Sequence, residues 1–124
     1  MVSASHNCLL LVEDDDLVRM TIALMLEDDG FGVVEAANAA EALTLIRGGL
    51  DASVLVTDVD LGAGASGVQL ADTLRAIQPD IGIVFITGRP ASIGHRPGNP
   101  HEAVLSKPFQ GSDLARLVRG VSHV

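Results

Sequence analysis

The sequence predicts an α/β domain, a doubly wound sheet of five parallel strands with helices on both faces. Two patterns in its 124 residues carry that expectation. Short continuous apolar runs, among them 8–12 and 54–57, read as strands covered on both faces. Amphipathic helical stretches separate these runs, and strand–helix alternation implies parallel pairing. A third pattern concerns where the runs end. They close in Glu13-Asp14-Asp15-Asp16, in Asp58, in Thr87 and, after Ser106, in Lys107-Pro108.

The elements follow in order. Residues 1–7 form a polar lead, expected to be loose, and 8–12 form the first strand. From 16 to 28 the pattern is helical, with Val18, Ile22, Met25 and Leu26 at spacings of three and four. Asp15 or Asp16 caps its start, and Gly30 suits the position after its end. Residues 32–36 read as a short second strand. Asn38 opens the second helix, with Glu41 three residues on as a capping-box-like partner. Ala42, Leu43 and Ile46 supply its buried face, and Gly48-Gly49 end it. The third strand is expected at 53–57. Ser66-Gly67 lead into a third helix bearing Val68, Leu70, Ala71, Leu74 and Ile77, which Pro79 stops.

The fourth strand is expected at 81–86. Residues 88–102 then break the rhythm with Pro90, Gly94, Pro97, Gly98 and Pro100, so the fourth helix should be short or degraded, at most one turn near 91–93. Val104-Leu105 form the fifth strand, and a last helix runs from 112 to about 121. Asp113 sits favourably near its positive N-terminus.

Composition bounds the function. The length fits one domain over 1–124, with no output domain expected. Hydrophobic residues make up 48% and aromatics 2%, so Leu, Val, Ile and Ala must build the core. A formal charge of −8 argues against non-specific binding of nucleic acid. The single cysteine, Cys8, lies within an apolar run and reads as an inert buried thiol of a reducing compartment. Neither a signal peptide nor a membrane-length apolar run is present, and the expected location is cytoplasmic. His6, His95, His101 and His123 show no metal-ligand spacing, and solvent exposure is expected for His95 and His101.

Acids, a hydroxyl and a lysine at one end of parallel strands describe a site for a divalent cation and a phosphoryl group. Ligands bind open α/β sheets at that edge. Mg2+ takes hard oxygen ligands, which Glu13, Asp14 and Asp58 offer. Crowded carboxylates raise one another's pKa values, and a bound cation reverses the effect. Asp58 is the candidate nucleophile for an acyl phosphate. Lys107 is placed to neutralise one phosphoryl oxygen and Thr87 to donate to another.

These pieces resemble the response-regulator receiver domains of two-component signalling. The resemblance rests on LLLVEDD (9–15), VLVTDVDLGAGASG (54–67), VFITG (84–88) and SKPF (106–109), and with the helices between them it covers nearly the whole chain. It implies a flavodoxin-like fold with strand order 2-1-3-4-5. It implies that Asp58 takes phosphate from a histidine kinase or histidine phosphotransfer protein and relays it by a conformational change to a downstream protein. Glu13 and Asp14 match the family's acidic pair, with Asp14 as direct Mg2+ ligand, and the backbone carbonyl of Asp60 matches a further ligand. Thr87 matches the switch hydroxyl. Lys107 matches the family's lysine, and Lys107-Pro108 a bond usually cis there. A monomer or weak dimer is expected.

Departures from the family are specific. Val104 stands where an aromatic often changes rotamer, and the degraded helix removes a common signalling face. Arg89 is placed to affect the lifetime of the phosphoryl group, and the Asp60 side chain either tunes water access there or merely faces solvent. Two other readings compete. A phosphorylation-independent interaction module would suit the missing aromatic. Asp58-Val59-Asp60 also resembles haloacid-dehalogenase-type phosphatases, although that motif normally comes first in such chains.

Overall fold

The computed structural model describes residues 8–89 and 99–122. Five parallel strands form one sheet in the order β2-β1-β3-β4-β5, the expected architecture. They are β1 (Cys8–Val12), β2 (Gly32–Ala36), β3 (Val54–Asp58), β4 (Gly82–Thr87) and β5 (Glu102–Ser106). Four helices occur among the described residues: α1 (Asp16–Asp28), α2 (Ala39–Arg47), α3 (Gly67–Ile77) and α4 (Gly111–Val121). The expected loose lead and the turn near 91–93 lie outside the described residues, as do His6, His95 and His123.

Alternation along the strands divides the core in two. Leu10, Val12, Leu55, Ile83 and Phe85 point to the side covered by α2 and α3, where they meet Ala42, Ile46, Leu70 and Leu74. Leu9, Leu11, Val54, Val56, Val84 and Ile86 point to the other side, against Ile22 and Leu26 of α1 and Leu114, Val118 and Val121 of α4. Burial on both faces explains why the central runs are continuously apolar rather than alternating.

The helix ends follow local chemistry. Asp15 caps α1, its Oδ1 accepting the N–H groups of Leu17 and Val18 at 3.0 Å each. Gly30 follows the end of α1 with φ +91°, a conformation that costs glycine little. Asn38 caps α2 through the N–H of Glu41, but the Glu41 carboxylate reaches back to the N–H of Ala37, one residue beyond a regular capping box. Ser66 and Gln69 form a complete capping box on α3.

Several expectations need adjusting. The third strand is shifted by one residue, because Ser53 bonds the Cys8 carbonyl while Asp58 remains in register with Ile86. The fourth is shifted likewise and includes Thr87. The fifth is longer than Val104-Leu105, since polar Glu102 and Ser106 extend the ladder on an edge strand without needing burial. Helix α1 buries Ile22, Ala23 and Leu26, while Leu17, Val18, Met20 and Leu24 are exposed. His101 is half-buried rather than exposed, with Nδ1 3.2 Å from the Val121 carbonyl oxygen. Cys8 is half-buried too, and burial followed by the charge of Asp51 pushes its thiol pKa up, which disfavours the reactive thiolate.

Candidate functional site

The C-terminal ends of β1, β3, β4 and β5 meet at an open cleft of about 610 Å³ lined by Asp14, Asp58, Val59, Asp60, Gly62, Thr87, Gly88, Arg89 and Lys107. Each side chain is delivered by the end of a strand. Glu13 and Asp14 follow β1, whose last turn is held by the Glu13 N–H on the Ala36 carbonyl of β2 at 3.2 Å. Asp58 ends β3 and Thr87 ends β4. Lys107 follows β5, its N–H bonded to the Thr87 carbonyl at 2.9 Å and its peptide bond to Pro108 cis.

Asp58 is held on both sides. Its Oδ1 accepts the N–H of Asp60 at 3.1 Å, and its Oδ2 lies 2.9 Å from Lys107 Nζ. Its backbone is fixed as tightly. The buried Thr57 hydroxyl donates to the Asp58 carbonyl at 2.8 Å. Gly67, at the start of α3, packs so close that a Cβ there would overlap the same carbonyl oxygen. Only glycine permits that approach.

Glu13 lies beneath the cleft rather than in its wall and is 3% exposed. Its Oε2 accepts the N–H of Asp15 at 3.0 Å, and its Oε1 lies 3.8 Å from Lys107 Nζ. Burial pushes its pKa up to about 7. The Asp15 N–H opposes that shift, while the neighbouring carboxylates of Asp14 and Asp58 add to it. Burial alone would lower the pKa of Lys107, but Asp58, with Glu13 and Asp14 behind it, outweighs burial and holds the ammonium above its ordinary range.

One carboxylate oxygen from each of Glu13, Asp14 and Asp58 lies within 4.8 Å of the other two. Three hard oxygen donors gathered beside an open cleft fit a cation such as Mg2+ that retains waters. Asp60 also lines the cleft, but its Oδ1 accepts the N–H of Gly62 at 3.1 Å, so its side chain serves the turn. Thr87 is buried, and its Oγ1 accepts the N–H of Arg89 at 3.0 Å. That bond leaves the hydroxyl proton for another partner. Of the other two acids, Asp15 is the helix cap and Asp16 pairs with Arg19 at 2.7 Å.

Sequence reasoning missed Gly67, Gly62 and Arg19. The first two belong to the glycine-rich stretch after Asp58, which marked a turn without showing which backbone atoms it approaches. A Cβ at Gly62 would lie 3.2 Å from Asp14 Oδ2. Arg19, a cation in an acidic stretch, gave no comparable signal.

A second surface borders the first. Leu17, Val18, Thr21, Ile22 and Met25 of α1, with Pro108 and Phe109, line an apolar groove of about 480 Å³, and Lys107 lines both groove and cleft.

Comparison with known proteins places these features in context. The family model described as "Response regulator receiver domain" matches residues 9–119. The response regulator receiver protein CpdR of Brucella abortus (strain 2308) is 37% identical over 113 residues, covering 89% of this chain and 92% of that protein. The sensor kinase CckA of the same organism is 35% identical over 113 residues, but the match spans only 12% of its length. Among solved structures, a response regulator receiver protein from Sinorhizobium medicae WSM419 superposes with a TM-score of 0.83 at 28% identity over 96% of both chains. Among the described residues, no helix is long and apolar enough to cross a membrane.

Proposed function

The chain belongs to the response-regulator receiver family of two-component signalling, and from that premise we propose that it accepts a phosphoryl group on Asp58 with the help of Mg2+. The observation that carries this reading is the convergence on Asp58. Lys107 Nζ stands 2.9 Å away on one side and the Glu13–Asp14 pair lies within 4.8 Å on the other. Asp14 and Asp58 would hold Mg2+ directly, and Glu13 would add negative charge from beneath. Because the Asp60 side chain is engaged with Gly62, any ligand from Asp60 would be its backbone carbonyl. Bound Mg2+ supplies charge neutralisation for the carboxylates and the incoming phosphoryl oxygens.

The chain's own groups supply the rest. An Asp58 carboxylate oxygen attacks phosphorus, and the bond from phosphorus to the donor's histidine nitrogen breaks. The nitrogen leaves with the electron pair. Lys107 exchanges its contact with Asp58 for one with a phosphoryl oxygen, and the Thr87 hydroxyl donates to another. Positioning and charge neutralisation are the main requirements of such a transfer. Arg89, at the rim, faces the route by which water would reach the acyl phosphate.

The donor is a histidine kinase or histidine phosphotransfer protein, and the apolar groove beside the cleft is where it docks. A protein reaching Asp58 must cover an adjoining surface, and the exposed Leu17 and Val18 with Phe109 offer apolar area beside the cleft. A downstream protein then reads the phosphorylated state. The phosphatase alternative is set aside, since the matched family is a signalling module rather than an enzyme.

One observation favours a phosphorylation-independent module: Val104 has no ring to reorient and is 45% exposed. A single experiment separates the readings. Asp58 should take up phosphate from a small donor such as acetyl phosphate in the presence of Mg2+, giving an acid-stable, base-labile adduct of about 80 Da by intact mass. Asp58→Asn should abolish it. No adduct on the wild type would refute the proposal and favour the module, and an undiminished adduct on Asp58→Asn would refute Asp58 as the acceptor.

A further inference from the structure

Arg19 is half-buried at the root of the acidic loop, with a side chain 16% exposed. Its Nη1 donates to the backbone carbonyl of Glu13 at 2.8 Å, its Nη2 to Asp16 Oδ1 at 2.7 Å and its Nε to Glu35 Oε1 at 3.3 Å. The rigid guanidinium fork thus joins three places at once: the β1–α1 turn, the first turn of α1 and the end of β2. The Glu13 carbonyl belongs to the peptide that joins Glu13 to Asp14. Fixing that peptide fixes the direction in which both carboxylates leave the backbone.

The turn needs such a clamp. Its carboxylates crowd one another, and their repulsion in the metal-free protein pushes the turn outward. Opposing this are the Glu13 N–H on Ala36, the Asp15 N–H on Glu13 Oε2, and Arg19 on the Glu13 carbonyl. Lys107 brings positive charge to the carboxylates themselves, and of these three bonds only that of Arg19 brings it to the backbone of the turn. Asp16 and Glu35 in turn hold the guanidinium, and the hydrogen bond to Asp16 is the leading cause of its raised pKa.

We propose that Arg19 is a positioning residue for the cation site: by clamping the Glu13–Asp14 peptide it sets the geometry with which these carboxylates receive Mg2+. This rests on the Mg2+-dependent reading of the site. Outer groups that orient metal ligands commonly change affinity by about 10–100-fold when removed.

The test is a Mg2+ titration of the full chain, followed by amide NMR shifts in the turn. Four variants are compared with the wild type: Arg19→Ala, Arg19→Lys, Glu35→Gln and Arg75→Ala. Arg19→Ala should raise the Mg2+ Kd about tenfold or more and speed amide hydrogen exchange at Asp14 and Asp15 before any metal is added. Glu35→Gln, which leaves the bond to the Glu13 carbonyl in place, should stay within about threefold of wild type. Arg19→Lys, with the charge but not the fork, should fall between them, and it carries the test if the alanine variant does not fold. Arg75→Ala removes an ion pair to Glu102 and a bond to the Ile81 carbonyl at the opposite end of the sheet, and controls for general loss of stability. A Kd for Arg19→Ala within about threefold of wild type overturns the inference. So does an equal loss in Arg75→Ala, which would make the effect one of stability alone. A wild type that binds no Mg2+ overturns the cation site itself and the role of Arg19 with it.

Discussion

Glu13 shows how a single carboxyl can report on the whole site. Its pKa in the folded chain is about 7, against an ordinary 4.5, chiefly because it is buried. Between those values the folded protein keeps a proton that the unfolded chain releases. Stability of the metal-free protein therefore declines as pH rises from about 4.5, and the cost is complete above about 7. The expected size is on the order of 1–3 kcal/mol. Thermal melts without metal should show a higher Tm at pH 5.5 than at pH 7.5 from this group, and Glu13→Gln should flatten that difference. An unchanged slope in Glu13→Gln would assign the effect to other acids. Mg2+ requires the ionised form, so its affinity should fall as pH drops below 7. The residues legible in the sequence were those whose role depends on standing at a strand end: Asp58, Thr87, Lys107 and the acidic pair. Arg19 and Gly67 were not legible, because each acts on a backbone carbonyl whose direction exists only after folding.

Among the elements, the helices differ in how well their starts are satisfied. Helices α1, α2 and α3 each have a side-chain cap, whereas Gln110 makes no side-chain cap bond at the start of α4. The β5–α4 connection carries Lys107, Pro108 and Phe109, so this weakly satisfied start lies next to the site. Gln110→Asp should stabilise the fold by about 0.5–1 kcal/mol through a new cap and a favourable interaction with the helix dipole. Urea unfolding measures it, and a lower midpoint for the variant would show that the loop geometry denies Asp the capping rotamer. Periodicity located each of the described elements to within a residue or two, because burial on one or two faces dictates it. It was least complete where burial is partial. The edge strand β5 carries polar residues in its ladder, and Val104-Leu105 marked only its middle.

At the scale of the molecule, alternation predicted a parallel sheet but not its order, which rests on contacts far apart in sequence. The order came from the family resemblance, and the fold agrees with it. The proposed docking surface was also not legible, since Leu17 and Val18 read as ordinary helix residues until α1 was seen to leave them 67% and 36% exposed on the groove. Replacing both with alanine should slow phosphotransfer from the cognate histidine donor by about tenfold, the scale of a lost interface anchor. Uptake from acetyl phosphate, which needs no docking surface, should stay at the wild-type rate. Equal slowing with both donors would place the defect in the site instead. The strand order also makes the cleft mechanically uneven. The acids stand on β1 and β3, which have a neighbour on each side, while Lys107 follows β5, which pairs with β4 alone. Strands inside a sheet open least readily and edges first. The cleft therefore has a stiff negative wall and a compliant positive one. On the proposed function, an arriving phosphoryl group would move Lys107 and the Pro108–Phe109 side of the apolar groove, while the carboxylates stay where the sheet put them.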